Sequence, residues 1–434
     1  MNDASNPGQA FPINDWYRLD NAAKIYPSTT TDRSPAMFRI AVSLTKPVKL
    51  SILQQALESV MPRFPYFQVY LKRGFFWYYL QKHSEIPKIQ LLDLSRVPNI
   101  PVHSRSTHLL RVCTRQNVVA VDFSHIITDG NGGVRFVSTL VAEYLKLCGV
   151  SVAPHENILN LNEQPGFEED EDAYRKYFTK GIPGPESISP AYHEPGRPVS
   201  SDRFRTITGR IPVQQILGLA RGKGVTLTEY LAALMMFCLT QIYQDETGSG
   251  VKSRRSIIRL EVPVNMRLFY PSKTMRNFSL FVSPEVDLKL GAFSFDEMLK
   301  RVHHTLQLQI DAKELNKQLS RNVAAELHPA VRFLPLHIKD CLLGWVHAKM
   351  GEQLFSGVLS NLGRITFPDD MNSAIESVNV VLNPNQVMKK SCSVVTYQND
   401  LYITFCSLIE SRKLEKLFFT RLVENGVSIH VKEY

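Results

Sequence analysis

No stretch of this chain approaches the run of about 20 apolar residues that crosses a bilayer as a helix. Residues 1–12 also lack the charged-then-apolar pattern of a targeting segment, so the expectation is a soluble, cytoplasmic protein with no integral membrane segment. Its six cysteines (Cys113, Cys148, Cys238, Cys341, Cys392 and Cys406) stand singly, without a Cys-x-x-Cys pair. That spacing argues against a disulfide framework or a thiolate-bound metal and predicts reduced core residues. The histidines give no metal site either. His303 and His304 fall in a helical pattern and His347 lies near Trp345, with no carboxylate at ligand spacing. There is no Gly-x-Gly-x-x-Gly after a strand and no phosphate-loop lysine, which excludes the common dinucleotide and nucleoside-triphosphate chemistries. A Gly-x-Ser-x-Gly elbow is missing as well, and with it a serine hydrolase.

What is present is enough chain for two cores. At 434 residues the sequence exceeds what one hydrophobic core usually supports. The net charge of +9 is unevenly spread: residues 251–276 hold seven Lys/Arg (Lys252, Arg254, Arg255, Arg259, Arg267, Lys273 and Arg276) against Glu261. Such a block either attracts a phosphate-bearing ligand or is a solvated basic edge. No nucleic-acid motif accompanies it, so nucleic acid is not an expected partner.

Periodicity predicts a helix over 51–61, with Ile52, Leu53, Ala56, Leu57 and Val60 on one face. An aromatic hairpin follows, 66–71 and 75–80 around Lys72-Arg73-Gly74, then strands over 107–113 and 117–123 and a helix through Val134, Val137, Leu140, Val141 and Leu145. From 151 to 201 the pattern dissolves into Pro, Gly and the acidic run 168–172, which reads as a linker or crossover. The second half opens with helices near 213–220 and 228–243. Thr226 to Glu229 and Ser294 to Glu297 both fit capping boxes. Strands are predicted over 256–264, 277–286, 357–360, 377–382, 391–397 and 401–408, and a last helix over 412–424. Both halves mix helices with hairpin-connected strands, so the fold class is α/β, as two layered lobes.

The segment that carries chemistry follows the strand 117–123. An apolar run ends at Ser124-His125-Ile126-Ile127-Thr128-Asp129-Gly130, after which Gly132 and Gly133 let the chain double back before a helix. Strand ends that lead into loops are favoured places for catalytic groups. A neutral imidazole, with a pKa near 6.5, accepts a proton from a hydroxyl or amine as that group attacks a carbonyl. At four residues' distance Asp129 either orients the His125 ring or pairs with a cation to hold the loop.

In this setting the segment resembles the His-x-x-x-Asp-Gly signature of the CoA-dependent acyltransferase superfamily. That superfamily includes chloramphenicol acetyltransferase, nonribosomal peptide condensation domains, wax ester synthases and alcohol acetyltransferases. Pro263-Val264-Asn265-Met266-Arg267, followed by Arg276-Asn277-Phe278-Ser279-Leu280-Phe281, is similar to the arginine-then-strand segment of its second lobe. Leu359-Ser360-Asn361-Leu362-Gly363 resembles the Ser-Asn-Leu-Gly run of alcohol acetyltransferase-like members, and residues 16–23 and 63–67 look like bacterial relatives of that subgroup.

The resemblance implies two chloramphenicol-acetyltransferase-like lobes, each a mixed, mostly antiparallel sheet with helices, forming a V around a central tunnel. Their expected bounds are 1–165 and 201–434, with a crossover over 166–200. It further implies that His125 is a general base acting without an acyl-enzyme, and that Asp129, next to Gly130, is structural and pairs with Arg267 or, failing that, Arg276. Ser360 or Asn361 would supply or organise an oxyanion donor, unless they simply form a tight turn. Acyl-CoA would be a co-substrate rather than a bound cofactor, an alcohol or amine the acceptor, and the chain a monomer.

Two departures narrow the reading. Ser124 stands where condensation domains often carry a second histidine, and the Asp-Phe-Gly-Trp-Gly segment of plant acyltransferases is missing. They favour a stand-alone O-acyltransferase over two alternatives: an enzyme using a carrier-protein thioester or an amine acceptor, and a non-catalytic binding module of the same fold.

Overall fold

The computed structural model describes residues 15–31, 34–93, 100–104, 106–184, 188–200, 203–248, 255–350 and 352–433, apart from the side chains of 346–350 and 352. Lys252 and Arg254 of the basic block and the His347 side chain lie outside these. No single helix among the described residues is long and apolar enough to cross a membrane.

The apolar run before the motif is the strand Val118–Ser124, in the middle of a five-stranded sheet. The sheet order is Ile375–Leu382, Met37–Leu44, Val118–Ser124, Leu110–Arg115, Gln90–Leu91. Elements cover both faces of the central strand, which is why it reads as a continuous hydrophobic stretch rather than an alternation. Its one charge, Asp122, is buried and stands in register with Arg39 on one neighbour and Arg111 on the other. Arg39 Nε lies 2.6 Å from its carboxylate and Arg111 Nε 3.4 Å, so the buried charge is compensated across the sheet. Helices Leu50–Val60 and Gly130–Leu147 pack together within the same hydrophobic core.

A separate three-stranded sheet pairs Tyr78–Lys82 with Trp16–Arg18 and Val69–Arg73. The aromatic strand expected over 75–80 starts late. Gly74 N–H donates to Trp77 O (3.1 Å), closing a turn that leaves Phe75 and Phe76 at its exposed tip.

The second half forms an eight-stranded sheet on its own core. Gly357–Ile365 runs parallel to both of its neighbours, Ile257–Asn265 and Lys390–Tyr397, and the flanking pairs are antiparallel. Helix Leu227–Gly248 fills this core, packed against Phe295–Gln309 and Lys413–Glu424. Both capping boxes are formed: Thr226 exchanges hydrogen bonds with Glu229, and Ser294 with Glu297. The chain 201–434 does not stay in this sheet. Strand Ile375–Leu382 leaves it to pair with Met37–Leu44 at the edge of the first.

Candidate active site

His125 is the first residue beyond the central strand, and its main chain is held from two sides. Its N–H donates to Ala36 O (2.9 Å), and its carbonyl accepts from Asn277 Nδ2 (2.8 Å), an amide reaching over from the second half. Asn277 is buried and donates also to Asp20 Oδ2 at 3.0 Å. Burial, then the Asp172 carboxylate, pushes Asp20 up to about 6, above the usual carboxylate range. The half-buried His125 ring packs against Phe38, with centroids 4.7 Å apart, and stacks on Tyr26 at 5.5 Å. Burial draws its pKa below the usual histidine value; the Asp129 carboxylate, the Thr128 main chain and the Asn277 side chain pull the other way and only soften the shift. The imidazole is therefore neutral at pH 7.

Asp129 caps helix Gly130–Leu147, accepting through Oδ1 from Asn131 N (3.1 Å) and Gly132 N (3.3 Å). Oδ2 accepts from Arg267 Nη1 and from Phe278 N, both at 2.8 Å. Both oxygens are thus committed to the loop and to the second half. Arg267 is itself fixed by the carbonyls of Thr274 (2.9 Å) and Arg276 (2.7 Å). Arg276, the reserve candidate, pairs instead with Asp170 at 2.5 Å.

The glycines do not precede the helix, as the sequence suggests; the helix starts at Gly130, so they are its first turn. Gly132 is there because Thr128 Oγ1 donates to Met275 O (2.6 Å) directly beneath it, and a Cβ would overlap both oxygens. A Cβ at Gly130 would meet only the side chain of Leu362, at 3.2 Å. Gly132→Ala should therefore cost about 2 kcal/mol or more in denaturant unfolding, and Gly130→Ala much less. Equal losses would mean that the contact with Met275 is not tight.

Ser360 and Asn361 lie on Gly357–Ile365, where the register with Lys390–Tyr397 shifts after Asn361. Asn361 Nδ2 donates to Thr228 Oγ1 (2.9 Å) and its Oδ1 accepts from Gly363 N (2.9 Å), with Gly363 at φ 75°. The first bond ties the strand to the start of helix Leu227–Gly248, and the second is local to the irregularity in the strand. Leu362, next to Asn361, is what reaches the start of the motif helix, at Gly130.

Sequence reasoning missed Asn277, Tyr26, Phe38 and the Phe278 N–H, and it assigned the acidic run, within a linker or crossover, no partners. Each acid of that run is paired: Glu168 with Lys273 (2.7 Å), Glu169 with Arg63 (2.7 Å), Asp170 with Arg276, Glu171 with Lys176 (2.9 Å) and Asp172 with Arg175 (3.6 Å). With Arg259 on Glu285 (2.5 Å) and Arg267 on Asp129, four cations of the basic block are neutralised within the protein. A cleft of about 1180 Å³ runs along Tyr17, Asp20, Trp77, Asp170 and Arg276. His125 does not line it, so the site is assigned by its chemistry and not by cavity size; Asp20 and Asn277 connect the two.

No family model and no curated protein matches the chain. Solved structures do. Polyketide synthase associated protein 5 from Mycobacterium tuberculosis superposes with a TM-score of 0.61 at 16% identity, over 95% of this chain and 98% of that one. The starter condensation domain of rhizomide synthetase, in complex with C8-CoA and Leu-SNAC, gives 0.57 at 13% over 95% of each chain. Trichothecene 15-O-acetyltransferase from Fusarium sporotrichioides gives 0.57 at 11%, over 98% and 99%. The chain has the two-lobed α/β fold of condensation domains and CoA-dependent acyltransferases.

Proposed function

We propose that this protein moves an acyl group from a CoA thioester to an acceptor hydroxyl, with His125 as general base. The observation that carries the reading is the placement of His125 at the end of the central strand, with its backbone pinned from both halves and its ring in surroundings that disfavour the imidazolium. In the step, the acceptor O–H gives its proton to a ring nitrogen of His125 while its oxygen attacks the thioester carbonyl. The tetrahedral oxyanion then collapses, the C–S bond breaks, and the departing thiolate takes the proton from the imidazolium. No acyl-enzyme is formed. An oxyanion of this kind needs a donor, and losing one typically costs about 3 kcal/mol. Ser360 is the candidate on the strand at the motif, since the Asn361 amide is engaged by Thr228.

Acyl transfer by the likened proteins supports the reaction class; the acceptor and the donor are for experiment. Release of free CoA thiol from acetyl-CoA and longer acyl-CoAs, with a panel of alcohols and amines, is the test. Acceptor-dependent release is expected. No release with any pair, and none from an acyl carrier-protein thioester, would overturn the proposal.

The pH dependence is fixed in sign by the same geometry. The active form is the neutral ring, and burial disfavours the imidazolium, so the acid limb of kcat/KM should fall below the ordinary histidine value of about 6.5. A limb at or above that value would be incompatible with His125 as the base.

A further inference from the structure

Residues 16–23 hold a buried charge that the reaction as written does not use. Asp20 is 2% exposed and forms no ion pair among the described residues; Arg276, whose charge acts on it, pairs with Asp170. A carboxyl group buried without a paired cation is costly unless hydrogen bonds satisfy it. Here each oxygen takes one N–H. Oδ1 accepts from Ala23 N (2.8 Å), in the short turn Ala22–Lys24, and Oδ2 accepts from Asn277 Nδ2 (3.0 Å). The Asp20 side chain is thus fixed at one end by its own turn and offers the other end to Asn277.

The main chain about Asn277 is held on both sides. The carbonyl before it, on Arg276, accepts from Arg267 Nη2 (2.7 Å), and the N–H after it, on Phe278, donates to Asp129 Oδ2 (2.8 Å). The Asp129–Arg267 pair therefore grips the residue from either flank and leaves open the rotation of its side-chain amide. A primary amide donates at one end and accepts at the other, and its partners decide which way round it stands. Asn277 faces two acceptors, the His125 carbonyl at 2.8 Å and the Asp20 carboxyl at 3.0 Å, so the NH2 group is the end that meets them, one hydrogen to each. The same side chain favours the protonated form of the His125 ring, against burial. Turned over, the amide would set its oxygen against the His125 carbonyl and would oppose the imidazolium instead of favouring it.

We infer that Asp20 is a positioning residue for the base: by accepting the second N–H of Asn277, it fixes the amide in the one orientation that both donates to the His125 carbonyl and supports the ring as it takes up a proton. In the acyl-transfer step the imidazole gains a proton from the acceptor and passes it to the thiolate. An amide already oriented to favour the imidazolium stabilises the charged stage of that step without having to reorganise. Asp20 acts through Asn277 and not on the reacting atoms. The inference rests on the acyl-transfer reading for what the proton does; how the ring's surroundings are set follows from the chain Asp20, Asn277, His125 alone.

Asp20→Asn is the isosteric test. Its amide oxygen keeps the Ala23 N–H, but its NH2 group then faces the NH2 of Asn277, and one bond of the chain is lost. Melting should stay close to wild type, while kcat falls about tenfold or more. The acid limb of kcat/KM should move down by about half a unit or more, and so should the His125 titration followed by NMR of the histidine-labelled full chain, with His125→Ala identifying the signal. Asn277→Ala should show the same fall in kcat and in the titration, and the double variant should be no worse than Asn277→Ala alone, because the two residues act in series. Neither substitution replaces the other titratable groups at the ring, Tyr26 and Asp129. If Asn277→Ala fails to fold, Asp20→Asn carries the test. The inference is overturned if Asp20→Asn keeps the wild-type kcat and His125 titration, or if it lowers melting and kcat while the titration stays where it was. It is equally overturned if the shifts of the two variants add, since Asp20 would then be a distant charge and not a link in the chain. Should wild type release no thiol from any donor, the acyl-transfer reading falls, and the His125 titration still decides whether Asp20 sets the amide.

Discussion

His125→Ala is expected to lower kcat by about a hundredfold to ten-thousandfold, with KM and the melting temperature close to those of wild type. The separation follows from which atoms of His125 do which work. The bonds to Ala36 and Asn277 use its main-chain N–H and carbonyl, and alanine keeps both. What the substitution removes is the ring, whose packing on Phe38 and Tyr26 contributes about 1 kcal/mol on a half-buried face. A general base makes its interaction as the proton moves, so its loss is felt in kcat rather than in substrate binding. Turnover assayed by thiol release, beside a melting curve, tests both halves. Undiminished turnover would remove His125 from the chemistry. A collapse in melting temperature would mean that the ring, and not the backbone, holds the loop.

Much of this site was legible because its signals are local. A strand buried on both faces writes an apolar run in place of an alternation, and Val118–Ser124 does so apart from Asp122 and the closing Ser124. The capping boxes at Thr226 and Ser294 are likewise written in four consecutive residues. What escaped was what depends on distant partners. Met37–Leu44 did not read as a strand because Arg39 interrupts its apolar pattern, and the charge that makes Arg39 acceptable, Asp122, lies 83 residues away. The acids of 168–172, read as part of a linker or crossover, showed no partners in the sequence because Arg63 and Arg276, which neutralise two of them, are each 106 residues distant. Asn277 gives no local sign that it will bridge Asp20 and the His125 carbonyl, and a backbone donor such as Phe278 N–H has no side-chain identity at all. The exposed tip at Phe75 and Phe76 was read as strand because aromatic residues favour strands, whereas the turn closed by Gly74 decides the matter.

Asp129→Ala should lower both stability and rate, and the loss of stability should be about 4 kcal/mol in denaturant unfolding. The carboxylate is 5% exposed and serves four donors: two N–H groups of the helix start, Phe278 N–H and the Arg267 guanidinium. Losing a helix cap alone costs about 1 kcal/mol. The rest arises because Phe278 N–H and a largely buried arginine lose their acceptor at the junction of the two halves. Asp129→Asn should rescue little, since its amide keeps one accepting oxygen and turns its NH2 group against two of the four donors. Arg267→Ala should cost less than Asp129→Ala, because the carboxylate keeps its three N–H donors. In the double variant Asp129→Ala with Arg267→Ala, the losses should fall short of additivity by roughly 1–3 kcal/mol, the signature of a direct pair. The rate should fall with stability, because the carboxylate that caps the helix lies four residues after His125 and ties that loop to Phe278, next to the Asn277 that holds the His125 carbonyl. Additive losses in the cycle, or an Asp129→Ala protein that melts as wild type does, would remove the pair from the structural role given to it.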